Sequence, residues 1–390
     1  MSRHPFPFVV TDSQRKSEFF SRCKVHRYGH RHVDFVNQAL RLRCKSMSDR
    51  DVQILDLWKS LYPERPLVNT EIHTWYRDHT LVAILPWRLA LHGLADGNWW
   101  CWHSNSRFSN SISSSQSMHG LSISGLDVQR LFEPYIVALN RKPSRIATLF
   151  PDIITGRSAV PMERLRHEIA TAQYTLGVLP RYVTEKTAAE GSLKGKELLI
   201  ACESSFVKDS TYNAVVDYIK NGGVAIVEEG GFARNEYGDT RDTAELFPNA
   251  EDGGYEQFGR HAQIGSLGKG RVIRIGNIEP QDRDDRQACY REVFAEAIDK
   301  LGLNDPIRLI PADKLHASMR AMEWRVAPVE GRYVMAVLPY EGQDVEPGAF
   351  LLETFRPVKR ITNLITGENV PVDAFQVRKG PNMFLIELEL

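Results

Sequence analysis

Three short, almost wholly apolar runs in the middle of the chain constrain its fold more than any other feature. They are IATLFP (146–151), ELLIAC (197–202) and GVAIVEE (223–229). A strand that is polar on alternate residues has one face in water. A strand apolar throughout is covered on both faces, which is the habit of parallel sheets flanked by helices. The segments between and after these runs supply the helices. PMERLRHEIATAQYTLG carries Pro161 near its first turn, and STYNAVVDYIKNGG is closed by glycine. DRQACYREVFAEAIDKLGL reads as a last helix, and RYVT (181–184) as a further short strand. Residues 143–305 are therefore expected to form a doubly wound sheet of flavodoxin type.

The flanking regions follow different rules. In residues 1–142, RDVQILDLWKSLYPER (50–65) has near-helical apolar spacing, and LVNTE after Pro66 reads as a buried strand. LVAILPWRLALHGL (81–94) reads as a helix, GNWWCW (97–102) as a strand, and 127–140 as a helix. That order argues for parallel βα units, too few to close a sheet. From about 306 the apolar period becomes two. EWRVAP, GRYVMAVLPY, FLLETF, RITNLIT and MFLIELEL are short strands broken by turns, which predicts a small antiparallel β domain over 306–390.

Composition excludes little but is consistent. Lys plus Arg and Asp plus Glu balance at 49 each, so no global field favours nucleic acid or a membrane surface. The five cysteines (Cys23, Cys44, Cys101, Cys202, Cys289) fit no ligand spacing, which argues against zinc and for reduced thiols. The first twenty residues lack a signal peptide's apolar core, and no run approaches the roughly 18 apolar residues of a membrane span. The expectation is a cytoplasmic protein with no cofactor, no metal, no nucleic-acid partner and no membrane partner.

One stretch stands out chemically. PLVNTEIHTW (66–75) runs from a strand directly into an acid, a histidine and a tryptophan. Together with DGNWWCWHS, KGKELLIACESSFVKDSTYNAVVDYIKNGGVAIV, GRYVMAVLPYEG and ITNLITGE, it resembles the C-terminal part of a β-galactosidase of the family 42 type, in clan A of the glycoside hydrolases. The resemblance covers nearly the whole chain. It implies the end of a (β/α)8 barrel over 1–142, a flavodoxin-like trimerisation domain over 143–305, and a small β-sandwich over 306–390. It further implies a carbohydrate substrate, β-linked galactosides or similar sugars, and a homo-oligomer formed through the flavodoxin-like domain.

Carried onto this sequence, the resemblance makes Glu71 the nucleophile at the end of the seventh barrel strand. Retaining hydrolysis needs two carboxyl groups about 5–5.5 Å apart, one attacking the anomeric carbon and one protonating the leaving oxygen. A barrel brings both to its C-terminal rim. The second is missing from the expected pattern. Only Glu18 and Glu64 precede Glu71, neither follows an asparagine, and Glu64 falls in the turn before the strand. The chain is thus expected to be a C-terminal fragment, to be completed by another chain, or no longer to hydrolyse glycosides. By itself it is expected to be inactive. The alternative is a non-catalytic carbohydrate-binding or assembly protein on the same domains.

Other residues have both a functional and a structural reading. Trp102, with Trp100 second, is placed to stack on a sugar ring, whereas Trp99 reads as packing against helices. His73 is a candidate pocket residue. In VHRYGHRH (25–32), Tyr28 is a candidate hydrogen-bond partner of the nucleophile, and a solvated loop is the other reading. The serine-rich stretch 104–118 reads as a linker or a rim loop. Cys202 ends a strand as an amidotransferase nucleophile does, but ACESS has no glycine-flanked turn, so a buried thiol is expected. GSLGKG reads as an antiparallel hairpin and not as a dinucleotide loop.

Overall fold

The structure is a computed structural model. It describes residues 50–65, 67–72, 79–99, 130–157, 159–246, 255–276, 283–312, 322–339, 348–378 and 380–389. It is mixed α/β, with one mostly parallel sheet and further antiparallel pairings. Two compact units interleave along the chain. One takes in 1–141, 327–347 and 360–387, and the other 142–326, 348–359 and 388–390.

The first unit begins with α1 (Arg50–Leu61), β1 (Leu67–Ile72), α2 (His79–Leu91), β2 (Leu94–Trp99) and, further on, α3 (Glu133–Arg141). β1 and β2 pair in parallel through the α2 crossover, as the alternating pattern predicts. Helix α2 is apolar on all sides because both its faces are covered. Leu85 and Leu89 pack with Leu94, Leu55 and Leu67 on the strand side. Ile84, Trp87 and Leu91 pack with Phe132, Ile136 and Leu139, and with Ala327, Val334, Ala336, Leu338 and Met383. The last five belong to a five-stranded sheet in the order β11 (Met322–Val329), β12 (Arg332–Pro339), β16 (Asn382–Leu388), β14 (Val358–Asn363), β15 (Asn369–Val370). The helix that crosses between the parallel strands thus shares its core with the C-terminal strands. Burying a Leu, Ile or Trp side chain stabilises by about 1.5–3 kcal/mol each.

The second unit holds a seven-stranded sheet. Its strands are β3 (Ile146–Phe150), β4 (Tyr182–Thr184), β5 (Leu198–Ala201), β6 (Val224–Glu228), β7 (Tyr255–Phe258), β8 (Ala262–Leu267) and β9 (Gly270–Ile275). Their spatial order is β4-β3-β5-β6-β9-β8-β7. The first five are parallel, and β8 and β7 extend the edge antiparallel. Alternate residues feed two separate cores. Ile146, Leu198, Ile200, Ile226 and Ile273 face Leu165, Ile169, Ala172, Val293 and Phe294. Ala147, Leu149, Leu199, Ala201 and Val227 face Ala188, Val215, Val216 and Ile219. That is why the strand sequences are apolar without alternation.

The helices of this unit are α4 (Asp152–Arg157), α5 (Ala159–Arg164), α6 (Ala170–Thr175), α7 (Glu185–Ala189), α8 (Asp209–Lys220) and α9 (Arg283–Lys300). α5 and α6 are joined by a π-helical turn, Leu165–Ile169, with helical dihedrals on both sides. The GSLGKG stretch is the β8–β9 hairpin, Leu267 opposite Gly270, as expected. Gly270 is required there, because a Cβ would stand 2.1 Å from the carbonyl oxygens of Ile219 and Gly223. A two-stranded antiparallel sheet, β10 (Ile307–Pro311) with β13 (Phe350–Thr354), completes the unit.

Candidate functional site

Two places concentrate chemistry-bearing residues, one in each unit. In the first, Glu71 is the fifth of the six residues of β1, at its C-terminal end. The ladder to β2 is regular from Val68↔Asp96 to Asn69↔Gly97 and resumes at Ile72↔Trp99. Glu71 therefore sits where the register slips. Trp99 is the last residue of β2, opposite Ile72. Tyr28, His73, Trp100 and Trp102 lie outside the described residues, as does the serine-rich stretch 104–118.

The packing of helix α2, which joins the two strands, is polar as well as apolar. His92, just past the end of α2, meets Asp56 of α1 at 2.8 Å between Nδ1 and Oδ1, and both side chains are buried. Arg88 of α2, also buried, donates to the carbonyl of Pro339 at 3.3 Å. Asn140 donates from Nδ2 to the carbonyl of Ala90 at 2.7 Å. These contacts hold α2 against α1, α3 and β12. Pro86 within α2 has no N–H to donate, so the helix relies on such tertiary contacts.

In the second unit, the C-terminal ends of β5 and β6 gather a network that sequence reading missed. Glu203 follows Cys202 at the end of β5 with φ 55, a left-handed conformation uncommon for glutamate. Its backbone N–H donates to Oε2 of Glu228, the last residue of β6, at 2.8 Å. Glu203 Oε1 accepts from Arg164 at 2.8 Å, at the edge of the π turn. The other oxygen of Glu228 accepts from the hydroxyl of Tyr290 in α9. Arg286, one turn earlier in α9, makes a two-pronged contact to Glu168 in the π turn at 2.9 and 2.5 Å.

Burial governs the electrostatics. It pushes the Glu228 carboxyl up to about 7, assisted by the neighbouring charge of Glu203. It pushes the Tyr290 hydroxyl far up, with Glu228 adding to the effect. Burial, then Glu228 and Glu203, also push the Cys202 thiol well up. Cys202 is therefore a buried, inert thiol, as its sequence context suggests. Nearby, fully buried Glu185 accepts from the backbone N–H groups of Ile153 and Lys208, both at 2.8 Å. It ties the turns after β3 and β5 together.

The missed network had one legible signal. Two parallel strands end in ACE and VEE, each placing an acid where loops begin. The partners Arg164, Glu168, Arg286 and Tyr290 gave none. Among the described residues, no group of three His, Cys, Asp or Glu side chains is arranged to hold a metal ion, and no helix is long and apolar enough to cross a membrane.

No family model matches this chain, and no curated protein matches it by sequence. Solved structures do match its fold. An apo GH42 exo-carrageenase from Bacteroides ovatus superposes with TM-score 0.64 at 15% identity, covering 86% of this chain and 44% of the other. Gan42B, a GH42 β-galactosidase, gives TM-score 0.59 at 13% identity over 86% of this chain and 56% of its own. A β-galactosidase from Bacillus circulans sp. alkalophilus gives 0.59 at 11% identity, over 88% and 58%. At these identities the likeness is one of fold. The chain spans about half the length of the structures it matches.

Proposed function

We propose that this chain carries the nucleophile side of a retaining glycoside hydrolase site acting on β-linked galactosides or similar sugars. Its domains would be the end of the barrel (1–142), the flavodoxin-like domain (143–305) and the C-terminal β domain (306–390). The observation that carries the reading is the fold likeness to GH42 enzymes over 86–88% of the chain. It is supported by the position of Glu71 at the C-terminal end of a strand in a parallel β1–β2 pair. In a (β/α)8 barrel that end is the reactive rim, and register irregularities there re-aim side chains. Trp102, Trp100, His73 and Tyr28 are the accompanying sugar-binding candidates.

The chemistry sets the test. Glu71 attacks the anomeric carbon and the bond to the leaving oxygen breaks, leaving a glycosyl ester on Glu71. A poor leaving group needs a proton from a second carboxyl, whereas a dinitrophenolate departs unaided. No Asn-Glu pair precedes Glu71, so the chain alone is expected to leave nitrophenyl galactosides intact. It is expected to be labelled by 2,4-dinitrophenyl 2-deoxy-2-fluoro-β-galactoside, releasing one dinitrophenolate. Peptide mass spectrometry should place the fluorosugar on Glu71. No adduct, or an adduct elsewhere, removes Glu71 from the role.

At 11–15% identity the likeness to GH42 enzymes is one of fold, which supports a second reading, a non-catalytic carbohydrate-binding or assembly protein. Galactoside binding unchanged by Glu71→Gln, with no labelling, is its signature.

A further inference from the structure

The antiparallel edge of the second unit contains a cavity that the glycosidase reading leaves unused. Its volume is about 360 Å³, and its lining includes Gln257, Arg260, His261, Gln263, Arg274 and Gly276. The β7–β8 turn supplies Arg260 and His261, and the end of β9 supplies Arg274 and Gly276. The size falls at the small end of the about 300–1,000 Å³ range of ligand pockets. The lining is polar and cationic where most such pockets are apolar.

Arg274 is the informative residue. It is half-buried, its guanidinium donates to Gln263 Oε1 at 3.0 Å, and it lies 5.2 Å from the centre of the Tyr255 ring. Among the described residues no carboxylate pairs with it. The amide nitrogen of Gln263, its oxygen already committed to Arg274, remains free to donate. A guanidinium fixed by an aromatic face and an amide, yet lacking a counter-charge, is organised for an oxyanion. Arg260 adds positive potential, which Glu292 offsets in part at 3.5 Å. The balance around the cavity favours one negative charge.

We infer that this cavity is a binding site for a small acidic saccharide, a single ring bearing a carboxylate or sulfate, with Arg274 gripping the anion. Gln257 and Gln263 are the groups placed to meet ring hydroxyls. The site lies on β7, β8 and β9, and its occupancy does not depend on Glu71.

Titration calorimetry on the full chain tests this with D-galacturonate, galactose 6-sulfate, neutral galactose and sodium sulfate as probes. Both acidic sugars should bind, and galactose and sulfate should bind at least about tenfold more weakly. Arg274→Ala should weaken the acidic sugars roughly ten- to hundredfold, the loss of charge-assisted hydrogen bonds, with Arg274→Lys in between. Glu71→Gln should leave this binding unchanged, which separates it from any barrel site. The inference is overturned if neither acidic sugar binds the wild-type chain, or if Arg274→Ala binds as tightly. It is also overturned if inorganic sulfate equals the sugars, which would reduce the site to a simple anion site.

Discussion

The strand end at Glu71 and the strand ends at Glu203 and Glu228 look alike in the sequence, since each is an acid closing an apolar run. Glu203 is buried and Glu228 half-buried, and they are held by Arg164 and Tyr290, with the Arg286–Glu168 pair beside them. Every oxygen named there has a donor, and burial keeps Glu228 partly protonated near neutral pH. In the first unit, the buried polar contacts secure helix α2. A carboxylate tied into a closed network supports a fold, and on the reading proposed above Glu71 is instead available to a ligand at a barrel rim. Position at a strand end is thus shared by two roles.

The largest expected effect tests the rim. Glu71→Gln should abolish covalent labelling by the activated fluorogalactoside while leaving the thermal unfolding profile close to wild type. Labelling that survives the substitution would erase the contrast between the two acids.

The next effect belongs to the closed network. Arg286→Met leaves Glu168, only 2% exposed, without its two-pronged partner. Removing one member of a buried ion pair costs about 3–5 kcal/mol, and urea unfolding should register it. A loss under about 1 kcal/mol would mean that the pair behaves like a surface one.

A smaller loss is expected at a buried pair of the first unit. Asp56→Ala removes the oxygen that meets His92 Nδ1 and should cost about 1–3 kcal/mol in the same measurement. If it exceeds Arg286→Met, the first unit is the more dependent on buried polar contacts.

The most delicate effect is a pH slope. Glu228 is raised from an ordinary 4.5 to about 7, so the folded state holds its proton more tightly than the unfolded chain does. That contribution is complete below about pH 4.5 and is lost as pH rises through about 7. Glu228→Gln cannot titrate. Relative to this variant, the wild-type melting temperature should fall between about pH 5 and pH 8. Parallel profiles would show that Glu228 does not carry the proton.

Much of the architecture was legible. Continuous apolar runs at 146–151, 197–202 and 223–229 became β3, β5 and β6, because strands covered on both faces carry no polar positions. The helix expected over 81–94 is α2 over His79–Leu91, and the strand expected over 97–102 is β2 over Leu94–Trp99, three residues earlier. Gly93, at φ +87, turns the chain directly from the helix into that strand. Of the candidate site residues, only Glu71 falls among the described residues, near the end of β1. Arg274 escaped notice because nothing in GRVIRI marks which side chains its second arginine meets across the sheet.

The residues alone marked the main helices and strands, the place where the period of the chain changes, and the βα alternation to which β1 and β2 belong. Each of these depends on neighbours a few residues apart. Packing settled that α2 is covered by Ala327, Val334 and Met383, and that residues 164, 203, 228 and 290 share one network. It also decided that Arg274 faces a cavity without a counter-charge. The physical reason is range. Burial periodicity is written locally along the chain, whereas the pairing of charges depends on strand order and packing, which bring together side chains that no local pattern connects.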